Sequence, residues 1–394
     1  MFDIISLKNG LENIEGFYFG GVNAGFKKYE NDVGFIRSDI AYDVSAIFTS
    51  NKFQAAPIRH FLKYPKNFKT NFILLNSKNA NAMTGQGGVD DINFIFENLS
   101  KKINLINPIM CSTGVIGYRL NKEKIIASFD KINFTSRSSD DTVRAIMTTD
   151  SFKKELAFRV ELENGEHFNV ACICKGAGMI NPAFATMLCF ILTDANIPKE
   201  DMDEILSLSV KHSFNAVSVD GDTSTNDTLM LLSSRKSKAY DKLAFIEVLN
   251  LITKQMALYL VQDGEGSKKV VAFSVSGAKN DDEAEIAAKA LSNSLLVKTA
   301  IFGEDPNWGR IASTIGASGI ECCEESLIIK YDDVIVFSKD FPQLDEKREN
   351  LAHAIMQKSS YKISCELGIG SGKFEAYGCD LGHTYVNINS DYRS

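Results

Sequence analysis

The chain has 394 residues, 44% hydrophobic and 24% charged, enough to bury a core larger than that of one ordinary domain. Its 50 acidic side chains outnumber 43 Lys and Arg, and the net charge of −7 gives a nucleic acid or anionic membrane no counterion-release gain, so small metabolites are the expected ligands. Asp3 stands where a signal peptide would be basic, and no run approaches the roughly 18 apolar residues of a bilayer span; the expected address is cytoplasmic.

In chain order, Pro108 to Cys111 reads as a strand that ends in the turn Ser112-Thr113-Gly114. Phe168 to Cys174, short and rich in valine, isoleucine and cysteine, reads as a buried strand. It feeds the glycine-punctuated loop Lys175-Gly176-Ala177-Gly178-Met179-Ile180-Asn181-Pro182-Ala183-Phe184-Ala185-Thr186. A helix is expected from Thr186 to about Ala195, and another over Asp241 to Val261, where apolar residues recur near helical spacing until Asp263-Gly264. Lys268 to Ser276 is a strand. Asp281 to Thr299 is a helix whose acidic first turn suits the macrodipole. Ser326 to Tyr331 and Val334 to Ser338 form a hairpin around Asp332-Asp333. The pattern is mixed α/β without repeats, with a boundary near residue 280.

Eight cysteines, with Cys322 and Cys323 adjacent and Cys172 and Cys174 alternating along a strand, make neither a disulfide framework nor zinc spacing; reduced, mostly buried thiols follow. The five histidines show no paired ligand spacing, so no metal is expected. Gly368-Ile369-Gly370-Ser371-Gly372-Lys373 imitates a phosphate loop, but Phe374 follows the lysine and Glu375 to Cys379 alternates like a strand. A β-bulge or tight hairpin is the simpler reading, and a nucleotide-binding module the non-enzymatic alternative.

Thr186 admits two readings. A threonine after a tight loop can simply cap a helix. It can also be a nucleophile, if a base sits beside it, and the threonine's own α-amino group serves once the preceding peptide bond is cut. The small Ala185 leaves its carbonyl open to attack, and Gly176 and Gly178 allow close backbone approach.

The loop through Thr186 and Met187-Leu188 resembles the self-cleavage segment of the ornithine acetyltransferases, the glutamate N-acetyltransferases of arginine biosynthesis. The segments Asn76 to Gly85, Ser112 to Gly117, Ala145 to Asp150 and Asp220 to Asp227 are similar to the same family in the same order. So are Asp263 to Gly266, Gly303 to Arg310 and Tyr385 to Ser394. The resemblance implies a self-cleaving DmpA/ArgJ-like layered α/β fold with a smaller C-terminal α/β domain. It further implies an alpha chain of residues 1 to 185, a beta chain of 186 to 394 with a subdomain from about 280, and an α2β2 assembly of processed chains.

By the same resemblance Ala185 and Thr186 flank the cut, and Thr186 becomes the nucleophile that carries acetyl from N-acetylornithine to glutamate. Thr113 and Gly114 form the oxyanion hole. Lys175 anchors an α-carboxylate, Thr149 donates a hydroxyl, and Glu265, Asn389 and Ser394 complete the substrate site. No cofactor is implied; acetyl-CoA is open as a second donor. Ser394 replaces the family's usual threonine, Ala177 its common serine, and Phe184 also departs from the pattern. A self-cleaving aminopeptidase or amidase using Thr186, with water as acceptor, is the alternative.

Overall fold

The computed structural model describes residues 1–181 and 187–391, so Ala185, Thr186 and Ser394 lie outside the described residues. Nine strands form the first sheet: β1 (Phe2–Leu7), β2 (Tyr18–Val22), β3 (Val33–Phe48), β4 (Lys69–Asn76), β5 (Ile109–Ser112), β6 (Lys154–Leu162), β7 (His167–Lys175), β8 (Leu188–Thr193) and β9 (Thr228–Ser233). Their order is β1-β6-β7-β8-β9-β3-β4-β5, with β2 beside β3. The β8–β9 and β4–β5 pairs are parallel and the other neighbours antiparallel. β3 serves three partners: Val33 to Arg37 pair with β2 on one edge and β4 on the other, the register to β4 shifts before Tyr42, and Val44 to Phe48 pair with β9.

Side-chain alternation turns this sheet into layers. Phe168, Val170, Cys172 and Cys174 of β7 pack with residues of the helices Lys199–Ser209 and Lys242–Gln262. Ala171 and Ile173 instead join Ile36, Ile73 and Leu75 of β3 and β4. Phe35, Phe72 and Leu74, the alternate residues of those strands, pack with the helix Gly85–Leu99. The result is helix, sheet, sheet, helix, with two faces of one bent sheet closed on each other.

A five-stranded sheet follows: β10 (Val270–Ala278), β11 (Ile328–Tyr331), β12 (Val334–Phe337), β13 (Ser360–Glu366) and β14 (Gly372–Cys379), in the order β12-β11-β13-β10-β14. Val271, Phe273 and Val275 of β10 share a core with Ala284, Ala288 and Leu291 of the helix Asp281–Asn293. This second sheet opens at Val270, so one of its inner strands precedes residue 280.

Four expectations change. The helix expected from Thr186 to Ala195 is not found among the described residues: Leu188–Thr193 is the fully buried strand β8, between β7 and β9. A strand covered on both faces shows an unbroken apolar run, which periodicity cannot tell from a buried helix. The helix expected over Asp281 to Thr299 is two, Asp281–Asn293 and Leu295–Phe302. Ser294 between them is extended, and its Oγ accepts the Val297 N–H at 3.3 Å as the second helix's cap.

The glycine loop 368–373 is not a hairpin, since β13 and β14 lie on opposite sides of β10, although the bulge half of that reading stands: the register shifts between Ser276 and Ala278, opposite Lys373 and Gly372. Its Ile369 and Gly370 amides donate to the Gly277 carbonyl at 2.8 and 2.9 Å, and Lys373 N–H donates to Asp281 Oδ1, which uses the donors a phosphate would need. Finally, the 21-residue helix Lys242–Gln262 is long and apolar enough to cross a membrane by length and composition. Phe245, Leu249, Ile252 and Met256 on it are instead buried in the core.

Candidate active site

β5 and β7 deliver the first two groups. Ser112 ends β5 with its Oγ donating to Asn76 Oδ1 at 2.6 Å, and Thr113 N–H donates to the Asn76 carbonyl at 3.0 Å. The chain then crosses the loop after β4 so tightly that Gly114, at φ +132, could not carry a Cβ: that atom would lie 2.3 Å from the Lys78 carbonyl carbon. Asn226 fastens the crossing by donating to the Ala80 and Ser112 carbonyls at 2.6 and 2.8 Å. Lys175 ends β7, is only 3% exposed, and donates from Nζ to Thr113 Oγ1 at 3.3 Å.

Buried charge surrounds this lysine. Asp150 accepts from the Gly176 N–H at 2.7 Å, the Thr148 N–H at 2.9 Å and Lys154 Nζ at 2.8 Å. Burial works to raise the Asp150 pKa, but the positive charges of Lys175 and Lys154 prevail and hold it at about 2. Lys175 itself is pushed down by burial, against the attraction of Asp150 and with the help of Lys154.

The residues that bracket 182–186 are pinned by one loop. Asp220 accepts the Met179 and Ile180 N–H groups at 2.6 and 2.9 Å, and Asp227 Oδ1 accepts the Met187 N–H at 3.1 Å. Lys175 pairs with Leu188, so the start of β8 adjoins the buried lysine. Asp227 is fully buried, and its Oδ2 has no hydrogen-bond partner among the described residues. Burial drives its pKa well up, opposed by the Met187 N–H and the Lys175 charge.

The far wall comes from the C-terminal part. Glu265 N–H donates to the Ala177 carbonyl at 2.9 Å, and its Oε2 accepts from Asn389 Nδ2 at 2.7 Å, on the helix His383–Asp391. Gly178 makes room for that carboxylate, because a Cβ there would stand 2.6 Å from Glu265 Cδ. Tyr385 on the same helix donates to Asp220 Oδ2 at 3.3 Å.

Thr113, Gly114, Thr149, Lys175, Glu265 and Asn389 therefore line one cavity of about 140 Å³, although they span 276 positions of sequence. The remaining sequence candidates, Ala185, Thr186 and Ser394, lie outside the described residues. Sequence reasoning assigned no role to Asp150, Asp220, Asp227 or Tyr385, all inside quoted motifs. It passed over Lys154, which lies in a segment to which it gave no element.

The model of the ArgJ family matches residues 18–394. The chain belongs to the ArgJ family. The arginine biosynthesis bifunctional protein ArgJ of Wolinella succinogenes is 53% identical, with all of both chains covered. Its counterpart from Caldanaerobacter subterraneus is 35% identical over 98% of this chain and 99% of that one. A solved structure of bifunctional ArgJ from Bacillus halodurans is 38% identical over 52% of this chain and 98% of its own, with a TM-score of 0.48. The six sequence candidates that line the cavity of this ArgJ-family chain all fall within the matched range.

Proposed function

We propose that this chain cuts itself between Ala185 and Thr186 and then transfers the acetyl group of N-acetylornithine to glutamate through an acetyl-Thr186 intermediate, in the cytoplasm, as a step of arginine biosynthesis. The observation that carries the reading is the meeting of a buried lysine, a tight Thr-Gly crossing and a solvent-side carboxylate in one cavity, beside the strand that begins two residues after Thr186. Since that element is a strand, the helix-cap reading of Thr186 loses the helix it would cap.

In this reading the Thr186 hydroxyl attacks the Ala185 carbonyl, the acyl group shifts from nitrogen to oxygen, and water releases it. Two chains remain, 1 to 185 and 186 to 394, assembling as α2β2. The freed amine takes the hydroxyl proton, Thr186 Oγ accepts acetyl as ornithine leaves, and the glutamate amine takes the acetyl in turn. Thr113 and Gly114 stabilise the oxyanion of each tetrahedral intermediate. Lys175 holds the α-carboxylate both substrates share, Thr149 donates to it, and Glu265, steadied by Asn389, faces the ornithine ammonium. Ser394 closes the site. The relatives are named bifunctional, and we read the second activity as acetylation of glutamate from acetyl-CoA at the same threonine; the chemistry asks for no bound cofactor.

Mass spectrometry tests it directly. Wild-type protein should appear as two fragments, and N-acetylornithine alone should add one acetyl mass to the 186–394 fragment, lost again on adding glutamate. Thr186→Ala should give a folded, uncut, inactive chain, and acetyl transfer by that variant overturns the mechanism. Acetate release that glutamate fails to divert favours the amidase alternative.

A further inference from the structure

Lys154 has no part in the chemistry above, yet it is fully buried at the start of β6 with its ammonium between two carboxylates. Asp150 Oδ1 lies 2.8 Å away, and Asp263 Oδ2 accepts a shorter bond. Each carboxylate also grips backbone. Asp150 accepts from the Thr148 and Gly176 N–H groups, and Asp263 accepts from the Ser151 N–H at 3.0 and 3.1 Å and from the Ser151 hydroxyl. Asp150 adjoins Thr149, and Asp263 stands two residues before Glu265, so both carboxylates belong to loops that wall the cavity.

A buried ion cluster of this kind is weak evidence for stability, because desolvation offsets most of the Coulomb attraction. What such a cluster does supply is geometry, each group accepting few alternative arrangements. We propose that Lys154 is a positioning residue for the acetyl transfer argued above, on which this inference rests. It locks the Thr148–Asp150 loop to the Asp263–Gly266 loop, setting Thr149 against Glu265 across the cavity, and it takes part of the Asp150 charge that Lys175 would otherwise hold alone.

The second clause fixes a sign. The charged and titratable groups around Lys175 are Asp150, Lys154, Cys174 and Asp227. Removing Lys154 deletes a repulsion and leaves Asp150 undivided, so the Lys175 ammonium persists to higher pH. If Lys175 binds a carboxylate, the alkaline limb of kcat/KM moves upward, a shift that loosened packing alone would not produce.

The test is the pair Lys154→Met with Asp263→Asn, which removes one cation and one anion together, alongside Lys154→Arg, which keeps the charge. Fragment masses and urea unfolding establish that each variant is cut and folded. The double variant should show KM for N-acetylornithine raised about tenfold with a smaller change in kcat, and an alkaline limb at higher pH. Lys154→Arg should raise KM with the limb unmoved. Wild-type KM together with an unmoved limb in the double variant overturns the proposal. Should the double variant not fold, wild-type KM in Lys154→Arg overturns it and a raised KM supports it. Absence of acetyl transfer by the wild-type protein is a different result, which removes the functional reading itself.

Discussion

Behind the wall that carries Thr149 and Glu265, the buried carboxylates Asp150 and Asp263 each have a lysine against them, whereas on the wall of the Asp220–Asp227 loop the two end carboxylates are held chiefly by backbone N–H groups. The same residue type ends in opposite states. Paired charge holds Asp150 at about 2, while burial drives Asp227 well up. The first wall thus keeps Asp150 ionised beside the buried Lys175. The second places a carboxyl able to keep its proton beside the residue that follows the expected nucleophile.

Removing the frame should produce the largest effect. Asp150→Ala leaves Lys175 without its strongest counter-charge and Lys154 with one partner, which should cost about 3 to 5 kcal/mol in urea unfolding at pH 7. The folded pKa of Asp150 is lowered, so its contribution is present above the unfolded value near 4 and is lost as pH falls towards 2. The gap between variant and wild type should therefore narrow across that window. A loss under about 1 kcal/mol at pH 7 would show that the wall does not depend on its charges.

Lys175→Ala should come next, felt in binding more than in folding. KM for N-acetylornithine and for glutamate should rise together by about tenfold or more while self-cleavage persists, as expected for a charged hydrogen bond worth about 1.5 to 3 kcal/mol. Unchanged KM for both substrates would reduce the lysine to a partner of Asp150 and Thr113.

Asp227→Asn should be the mildest, because asparagine retains the oxygen that accepts the Met187 N–H. The folded pKa of Asp227 is raised, so its stabilising contribution is full below the unfolded value near 4 and declines as pH rises from there. The variant, which cannot titrate, should match or exceed wild-type stability at pH 7, and lose that advantage when both are unfolded below about pH 4. A loss above about 1 kcal/mol at pH 7 would mean that the carboxylate is ionised and the two walls are alike.

Much of the site could be read from residue order. Thr113, Gly114, Thr149, Lys175, Glu265 and Asn389 were assigned through the resemblance of their segments to the ornithine acetyltransferases, each carrying a residue type that its proposed chemistry needs, and all line the cavity. β8 was misread because burial on both faces erases the period-2 alternation. Lys154 was missed because it lies outside the motif that ends at Asp150, and a lysine between Lys153 and Glu155 looks by sequence like an ordinary solvated charge.

By itself the sequence determined the local chemistry: the glycine-flanked threonine loop, the Thr-Gly turn, the acidic helix start at Asp281 and the mixed α/β pattern. These depend on neighbours within a few residues, so they survive without knowledge of the fold. Only the tertiary structure decided which charges meet. Lys154, already paired with Asp150, reaches Asp263 across 109 positions, and Lys175 reaches Thr113 across 62. Coulomb and desolvation energies depend on distance and burial in space, and neither quantity is written in the order of residues.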